Sequence, residues 1–280
     1  MTQRAFVMGH PIAHSRSPML HGYWFRQLGV DGSYERLDIS PDKLAGFFAN
    51  FKEAGWIGGN VTVPHKSAVI PYLDRIDANA QAMGAVNTIF WQDGELVGGN
   101  ADGIGFMGNL DELAPGWDAN ALNAVVIGAG GAARAAVHGL KGRGLAISLC
   151  NRTLPHAEAL AAHFGGDVSA HGLDALPGEM KKADLLVNAT SLGMVGQPPL
   201  EIDLGNLKPA ATVCDVVYVP LETALLSQAK ARGHRTVSGL GMLLHQGVFG
   251  FRKWFGQIPT VSAELRKLIT DDILAGQAKS

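Results

Sequence analysis

The twelve residues VVIGAGGAARAA, positions 125–136, constrain the fold more than any other stretch of the chain. An apolar, β-branched run leads into Gly128, Gly130 and Gly131, and good helix formers follow. Strand, glycine turn and helix in that order make a variant of the dinucleotide-binding fingerprint G-x-G-x-x-G, with Ala133 in place of the last glycine. Glycines let the backbone turn tightly and approach a pyrophosphate, and the start of the helix offers N–H groups to the anion. A glycine turn without a ligand is the alternative, and the flanking strand and helix argue against it.

The end of the next strand-like run refines this expectation. A site for unphosphorylated NAD carries an acidic residue about 20 positions on, bonded to the ribose 2′-hydroxyl. Here LAISLC ends in Asn151, Arg152 and Thr153, with no carboxylate. Arg152 suits a 2′-phosphate or the adenine face, and its neighbours supply hydrogen bonds. The chemistry favours NADP, although Arg152 alone would read as a surface arginine. Polar clusters also close LLVNATSLGM (Asn188, Thr190, Ser191) and VCDVVYVPLET (Asp215, Tyr218). Ligands of open parallel sheets bind at the carboxyl ends of strands, so these positions suit cofactor and substrate contacts. Asp215 reads equally well as a structural cap.

The pattern begins earlier. RAFVMG, YERLDI and GGNVTV read as strands, with SPMLHGYWFRQLG and SPDKLAGFFANFKEAG as helices between them. Ser17-Pro18 and Ser40-Pro41 each look like an N-cap followed by proline at the first helical position. Such alternation predicts a mainly parallel sheet covered by helices. Asp93-Gly94 between two strand-like runs predicts a hairpin and some antiparallel pairing. GIGFMGNLDEL reads as a helix before the polar link APGWDANAL. Two helical segments, GMLLHQGVFGFRKWFG and SAELRKLITDDILAG, end the chain and are expected to pack back on the first domain. The fold class expected is α/β with two domains. A mainly parallel α/β substrate domain would comprise residues 1–103 plus 241–280, and a Rossmann cofactor domain residues 104–240.

The first half carries its own polar clusters. Ser15 and Ser17 stand at a helix start, where two hydroxyls make a good carboxylate site, although Ser17 could also serve as the N-cap. Lys66 follows the strand GGNVTV. Most lysines are solvated surface residues, but Asn60, Thr62, Asn87, Asn100 and Asp102 also lie at strand ends of this half. A lysine beside a carboxylate can be tuned for proton transfer to an alkoxide or carbonyl oxygen.

Charged residues are 17% of the 280, and the net charge is −2. No basic excess would attract nucleic acid or an acidic membrane, so a small-molecule partner is expected. No apolar run approaches the roughly 20 residues that would span a bilayer, and no secretory signal is visible. Cys150 and Cys214, both in apolar runs, read as buried free thiols of a cytoplasmic protein. No metal site is expected.

The motifs GHPIAHSRSP, GGNVTVPHK, GAVNT, GNADGIGF, GAGGAARA, NRT, NATSLGM, DVVYVPLET and GLGMLLHQG occur together and in this order. In them the chain resembles the shikimate dehydrogenase family over essentially its whole length. The resemblance implies reversible reduction of 3-dehydroshikimate to shikimate with NADPH, in aromatic amino-acid biosynthesis. It implies that Ser15 and Ser17 hold the substrate carboxylate. Asn60, Thr62, Asn87, Asp102 and Gln246 would hold ring hydroxyls, with Tyr218 close by. Lys66 and Asp102 would be the catalytic pair, Lys66 donating the proton to the carbonyl oxygen. Gly128, Ala129, Gly130, Gly131 and Ala132, with Asn151, Arg152 and Thr153, would bind NADP. Thr190, Ser191 and Val216 would add cofactor contacts, and Gly239 and Met242 would line the nicotinamide side.

Three positions depart from the family pattern. Gly22 replaces the usual Asn and is expected to pack a helix. Ala101 replaces Thr before the aspartate. His156 stands where a second basic residue often follows NRT. Two alternatives remain: a quinate/shikimate dehydrogenase of broader specificity, and a nucleotide-binding regulatory protein without turnover. Asn151-Arg152-Thr153 and Ser17 argue against an NAD-preferring quinate enzyme, and retention of Lys66 and Asp102 argues against the regulator. The oligomeric state is not legible, and a homodimer is compatible with the sequence.

Overall fold

Strand–helix alternation runs through both halves of the chain, and each half builds its own six-stranded sheet. The computed structural model describes residues 2–277; residue 1 and residues 278–280, the outer ends of the expected substrate domain, lie outside them. Two units result. One takes residues up to 101 together with 246–271, the other residues 102–245 together with those from 272 on.

The first unit runs β1 (Gln3–Gly9), α1 (Ser17–Leu28), β2 (Gly32–Asp38), α2 (Leu44–Ala49), β3 (Trp56–Val61), β4 (Arg75–Ile76), α3 (Ala78–Met83), β5 (Thr88–Gln92) and β6 (Glu95–Gly99). Its sheet order is β2-β1-β3-β5-β6-β4. β1 is parallel to β2 and β3, β5 is antiparallel to β3 and β6, and β4 is parallel to β6. The hairpin forms where expected. Asp93 and Gly94 have φ of 55° and 83°, the positive pair that a tight β5–β6 turn demands.

Two local expectations are corrected. The helix expected over 40–55 is a single 3-10 turn, Pro41–Lys43, followed by the six residues of α2. Asn50 Nδ2 donates back to the Gly46 carbonyl at 2.9 Å, and the chain then turns to bury Phe51 against Phe6. Ser40 stands at the cap position of that turn but makes no side-chain cap bond; its hydroxyl bonds the Asp42 carboxylate instead.

The second unit runs α4 (Asp102–Leu113), β7 (Asn123–Ile127), α5 (Gly131–Lys141), β8 (Ala146–Cys150), α6 (Leu154–Phe164), β9 (Val168–His171), α7 (Leu176–Met180), β10 (Leu185–Asn188), β11 (Thr212–Asp215), α8 (Ala224–Ala231) and β12 (Arg235–Val237). All its strands are parallel, in the order β12-β11-β10-β7-β8-β9. The sheet grows outward both ways from β7 and β10, which is the doubly wound arrangement with its ligand crevice at that switch point. Successive β7 residues serve opposite faces. Ala124 and Val126 join a core with Leu110, Val137 and Leu149, while Val125 and Ile127 join one with Leu186, Val213 and Leu226. Cys150 and Cys214 are buried and unbridged, and burial pushes the Cys150 thiol up to about 12.

Two helices close the chain, α9 (Leu240–Phe255) and α10 (Ala263–Gln277). The part of α9 in the first unit covers that sheet with aromatic side chains. Phe251, fully buried, packs against Trp24, Phe25 and Phe255. Burying a side chain of this size contributes about 1.5–3 kcal/mol. Trp24 Nε1 donates to the Thr260 carbonyl at 3.0 Å, fixing the segment between the two helices. Among the described residues no helix is long and apolar enough to cross a membrane.

Candidate active site

In the first unit the loop after β1 is set by backbone bonds. The Ser15 N–H donates to Ile12 O at 3.0 Å, and Arg36 grips the Ser15 carbonyl with Nε (2.9 Å) and Nη2 (2.6 Å). Arg36 was not singled out from sequence, because its partner lies 21 residues away. Ser17 does not cap α1. Arg16 holds the cap position without making a side-chain cap bond, and Ser17 lies inside the first turn, buried beside the Tyr34 hydroxyl. The Ser17 N–H instead faces Ser15 Oγ at 3.4 Å. The expectation that Gly22 packs a helix also fails. A Cβ there would meet only the mobile end of Arg26, at 3.7 Å.

Pairing of Asn60 with Thr88 between β3 and β5, and of Thr88 with Gly99 between β5 and β6, gathers the next residues at one sheet end. Tyr34 donates its hydroxyl hydrogen to Asn60 Oδ1 at 2.6 Å. Asn60 Nδ2 donates to the Asn87 carbonyl at 3.0 Å and to Thr88 Oγ1 at 3.3 Å. Thr88 Oγ1 donates to Asn87 Oδ1 at 2.8 Å, and the Ala101 N–H donates to the same oxygen at 2.9 Å. Burial raises the Tyr34 phenol well above its ordinary value, against the opposing effect of Ser17 and Asn60. His21 stacks on Tyr34 with centroids 4.1 Å apart and is fully buried, which lowers its pKa to about 3. The Asn60 side chain is its polar neighbour, but neither ring nitrogen reaches hydrogen-bond geometry.

The chain from Thr62 to Lys66 is pinned at both ends. The Thr62 N–H donates to Met8 O (2.9 Å), the His10 N–H to Val63 O (3.1 Å) and the Val86 N–H to Lys66 O (2.7 Å). Between them the buried His65 ring donates Nε2–H to Ile39 O at 2.6 Å. Lys66 is therefore a half-buried side chain on a fixed backbone. Gln246 lies on α9 in the same unit, also half-buried.

In the second unit Asp102 opens α4, where a carboxylate complements the helix N-terminus. Ala101 before it is fully buried. The glycine turn forms as expected. Gly128 has φ 115°, and a Cβ there would lie 3.1 Å from the Ala189 carbonyl. Over Gly130 and Gly131 the space is open, and α5 starts without a side-chain cap, so its first N–H groups face that space. Ala129 and Ala132 pack on the core below. Asn151 Nδ2 donates to Thr153 O at 2.8 Å, turning the chain so that Arg152 is exposed. Among the described residues no carboxylate pairs with Arg152. An open anion cradle and an unopposed guanidinium fit a phosphorylated dinucleotide.

Asp215 is a structural clamp. Fully buried, it accepts from Asn188 Nδ2 (2.9 Å), the Val217 N–H (3.0 Å) and Thr223 Oγ1 (2.7 Å), tying β10 and β11 to the start of α8. Asn188 in turn holds Thr190, whose hydroxyl donates to Asn188 Oδ1 at 2.7 Å and accepts from the Leu192 N–H at 3.1 Å. Both the donor and one acceptor site of Thr190 are spent on the loop, while Ser191 is exposed. Val216 and Gly239 are in backbone contact: a Cβ on Gly239 would fall 2.1 Å from the Val216 carbonyl. Met242 follows one turn on, and Tyr218 is half-buried beyond Val217.

Three family models match the chain: the shikimate dehydrogenase substrate-binding domain at residues 7–89, the shikimate/quinate 5-dehydrogenase model at 113–194, and the shikimate 5′-dehydrogenase C-terminal domain at 239–263. The NADP+ shikimate dehydrogenase of Azorhizobium caulinodans is 54% identical over 274 residues, 98% of each chain. A shikimate dehydrogenase crystallised with NADP+ superposes with a TM-score of 0.89 at 38% identity, covering 97% of this chain and 96% of that one. The Thermus thermophilus enzyme, crystallised with NADP(H) and shikimate, gives 0.84 at 36% identity, covering 95% and 98%.

Proposed function

The chain belongs to the shikimate dehydrogenase family, and from that premise we propose that it catalyses the reversible NADPH-dependent reduction of 3-dehydroshikimate to shikimate. One observation carries the reading: a relative sharing 54% of its residues over almost the full length is an NADP+ shikimate dehydrogenase. The open cradle over Gly130 and Gly131, with Arg152 unopposed, supports NADP as the cofactor.

Bound NADPH would supply the hydride. The first N–H groups of α5 would receive its pyrophosphate and Arg152 its 2′-phosphate, with Asn151 and Thr153 shaping that turn. Val216, Gly239 and Met242 would line the nicotinamide side, and Thr190 and Ser191 would add cofactor contacts at the neighbouring strand ends. Ser15 and Ser17 would hold the substrate carboxylate. Asn60, Thr62, Asn87, Tyr218 and Gln246 would orient the ring. Lys66 would protonate the carbonyl oxygen as hydride arrives, and Asp102 would orient the ammonium and share its proton. In the reverse direction Lys66 would be the base. We place the substrate domain at residues 1–103 plus 241–280 and the cofactor domain at 104–240. A cytoplasmic location and a homodimer complete the reading; gel filtration with light scattering tests the assembly.

The deciding assay follows reduced-nicotinamide absorbance with shikimate or quinate and NADP or NAD. Turnover with shikimate and NADP is expected. A clear preference for quinate and NAD would overturn the assignment in favour of the broader-specificity enzyme, and binding without turnover would favour a regulatory protein.

A further inference from the structure

The hydrogen bonds around Asn60 have one consistent direction, because backbone groups anchor the chain of bonds. The Asn87 carbonyl can only accept, so the Asn60 atom facing it is Nδ2, and the atom facing Tyr34 is Oδ1. Tyr34 must therefore donate. The Ala101 N–H can only donate, so the Asn87 atom facing it is Oδ1. The Thr88 hydroxyl, which touches that oxygen, must give it its hydrogen and accept from Asn60.

Two consequences follow for a ligand. Asn60 has committed both amide hydrogens, so it can meet a ligand only as an acceptor. Asn87 Oδ1 has filled both lone pairs, so whatever its side chain meets, it meets as a donor. The two amides thus make opposite demands on ring hydroxyls. Tyr34 is the only side chain in this chain of bonds that holds Asn60 Oδ1 from the far side, and its own oxygen is left to accept. The neighbouring Ser17 hydroxyl can then give its one hydrogen either to Tyr34 or to a carboxylate.

We infer that Tyr34 is a positioning residue for substrate: the Asn87 carbonyl and the Ala101 N–H fix which way the two amides face, and the Tyr34 hydroxyl, bound to Asn60 Oδ1, holds the Asn60 amide in place, so that Asn60 accepts from the substrate and Asn87 donates to it. The inference rests on the proposed shikimate activity. Tyr34 would touch no reacting atom and act only through the asparagines. Without its hydrogen the Asn60 amide is tethered at Nδ2 alone, and the acceptor edge offered to substrate is less firmly placed.

Steady-state kinetics of Tyr34→Phe and Thr88→Val test this, since each removes one link with little change of shape. Either variant should raise KM for shikimate five- to twentyfold, while kcat and KM for NADP stay within about threefold. In an Asn60→Ala background, Tyr34→Phe should have no further effect on KM. A structural role alone would lower the melting temperature and leave KM for shikimate unchanged. That result, or full additivity with Asn60→Ala, overturns the inference. If Tyr34→Phe does not fold, Thr88→Val carries the same readout. A wild-type protein inactive on shikimate with NADP would instead overturn the functional reading and this inference with it.

Discussion

The indole N–H of Trp254 donates to the carbonyl of Ile89 at 2.8 Å, joining residues 165 apart in the chain. It brings α9 onto β5 at a point where Gly58, with φ 145°, leaves room for both: a Cβ there would stand 2.4 Å from the indole nitrogen and 2.2 Å from the Ile89 oxygen. Replacing Trp254 by Phe removes that donor and leaves the Ile89 carbonyl only its pairing across the sheet with β3. A loss of about 1–3 kcal/mol in urea unfolding is expected. Gly58→Ala should be worse, because backbone strain and steric overlap add.

Asp215→Asn should cost about 1–3 kcal/mol, since the amide oxygen can still accept from Asn188 and Val217 but the new NH2 cannot accept from Thr223. The clamp also shapes the turn carrying Val216 and Tyr218. KM for NADP is therefore expected to rise several-fold in the folded fraction, measured with stability in the same preparation.

His21 predicts a pH effect. Burial lowers its pKa from 6.5 to about 3, so between those values the unfolded chain binds more protons than the folded one. Stability should fall as pH drops through this window, by up to about 1.4 kcal/mol per unit, and the His21 slope fades out over about one unit above pH 6.5. His21→Phe keeps an aromatic ring against Tyr34 without a titrating group. Its plot of melting temperature against pH should be flatter below pH 6.5 than that of the wild type.

Arg152→Ala tests the cofactor reading. KM for NADP should rise about 10- to 100-fold, with little change in any activity measured with NAD. Equal losses with both cofactors would show that Arg152 does not read the 2′-phosphate.

Lys66→Ala should lower kcat by orders of magnitude and leave the apparent affinity for shikimate nearly unchanged. Collapse of affinity with turnover preserved would assign Lys66 to binding.

Much of the fold was legible because its signals are contiguous. Gly128 to Gly131 between an apolar strand and a helix predict the first turn of the doubly wound sheet, and Asp93-Gly94 predicts the β5–β6 hairpin of the first unit, since both are local backbone requirements. Ser17 shows the limit of such reasoning. Its place before Pro18 suggested a cap, yet the buried Tyr34 hydroxyl lies beside it, 17 residues on in the chain. Tyr34 itself read as one more aromatic in a strand, and His21 as part of a helix. Their roles come from the order β2-β1-β3-β5 within one sheet, which no local pattern encodes.

The sequence by itself determined the residue types at the site and the two anion-binding signals, Ser15 with Ser17 and the glycine turn with Arg152, because helix starts and glycine turns are short-range. Only the tertiary structure decided the polarity of Asn60 and Asn87. An amide side chain can face either way, and its direction is set by which donors and acceptors the folded sheet brings against it: the Tyr34 hydroxyl, the Thr88 hydroxyl, the Asn87 carbonyl and the Ala101 N–H.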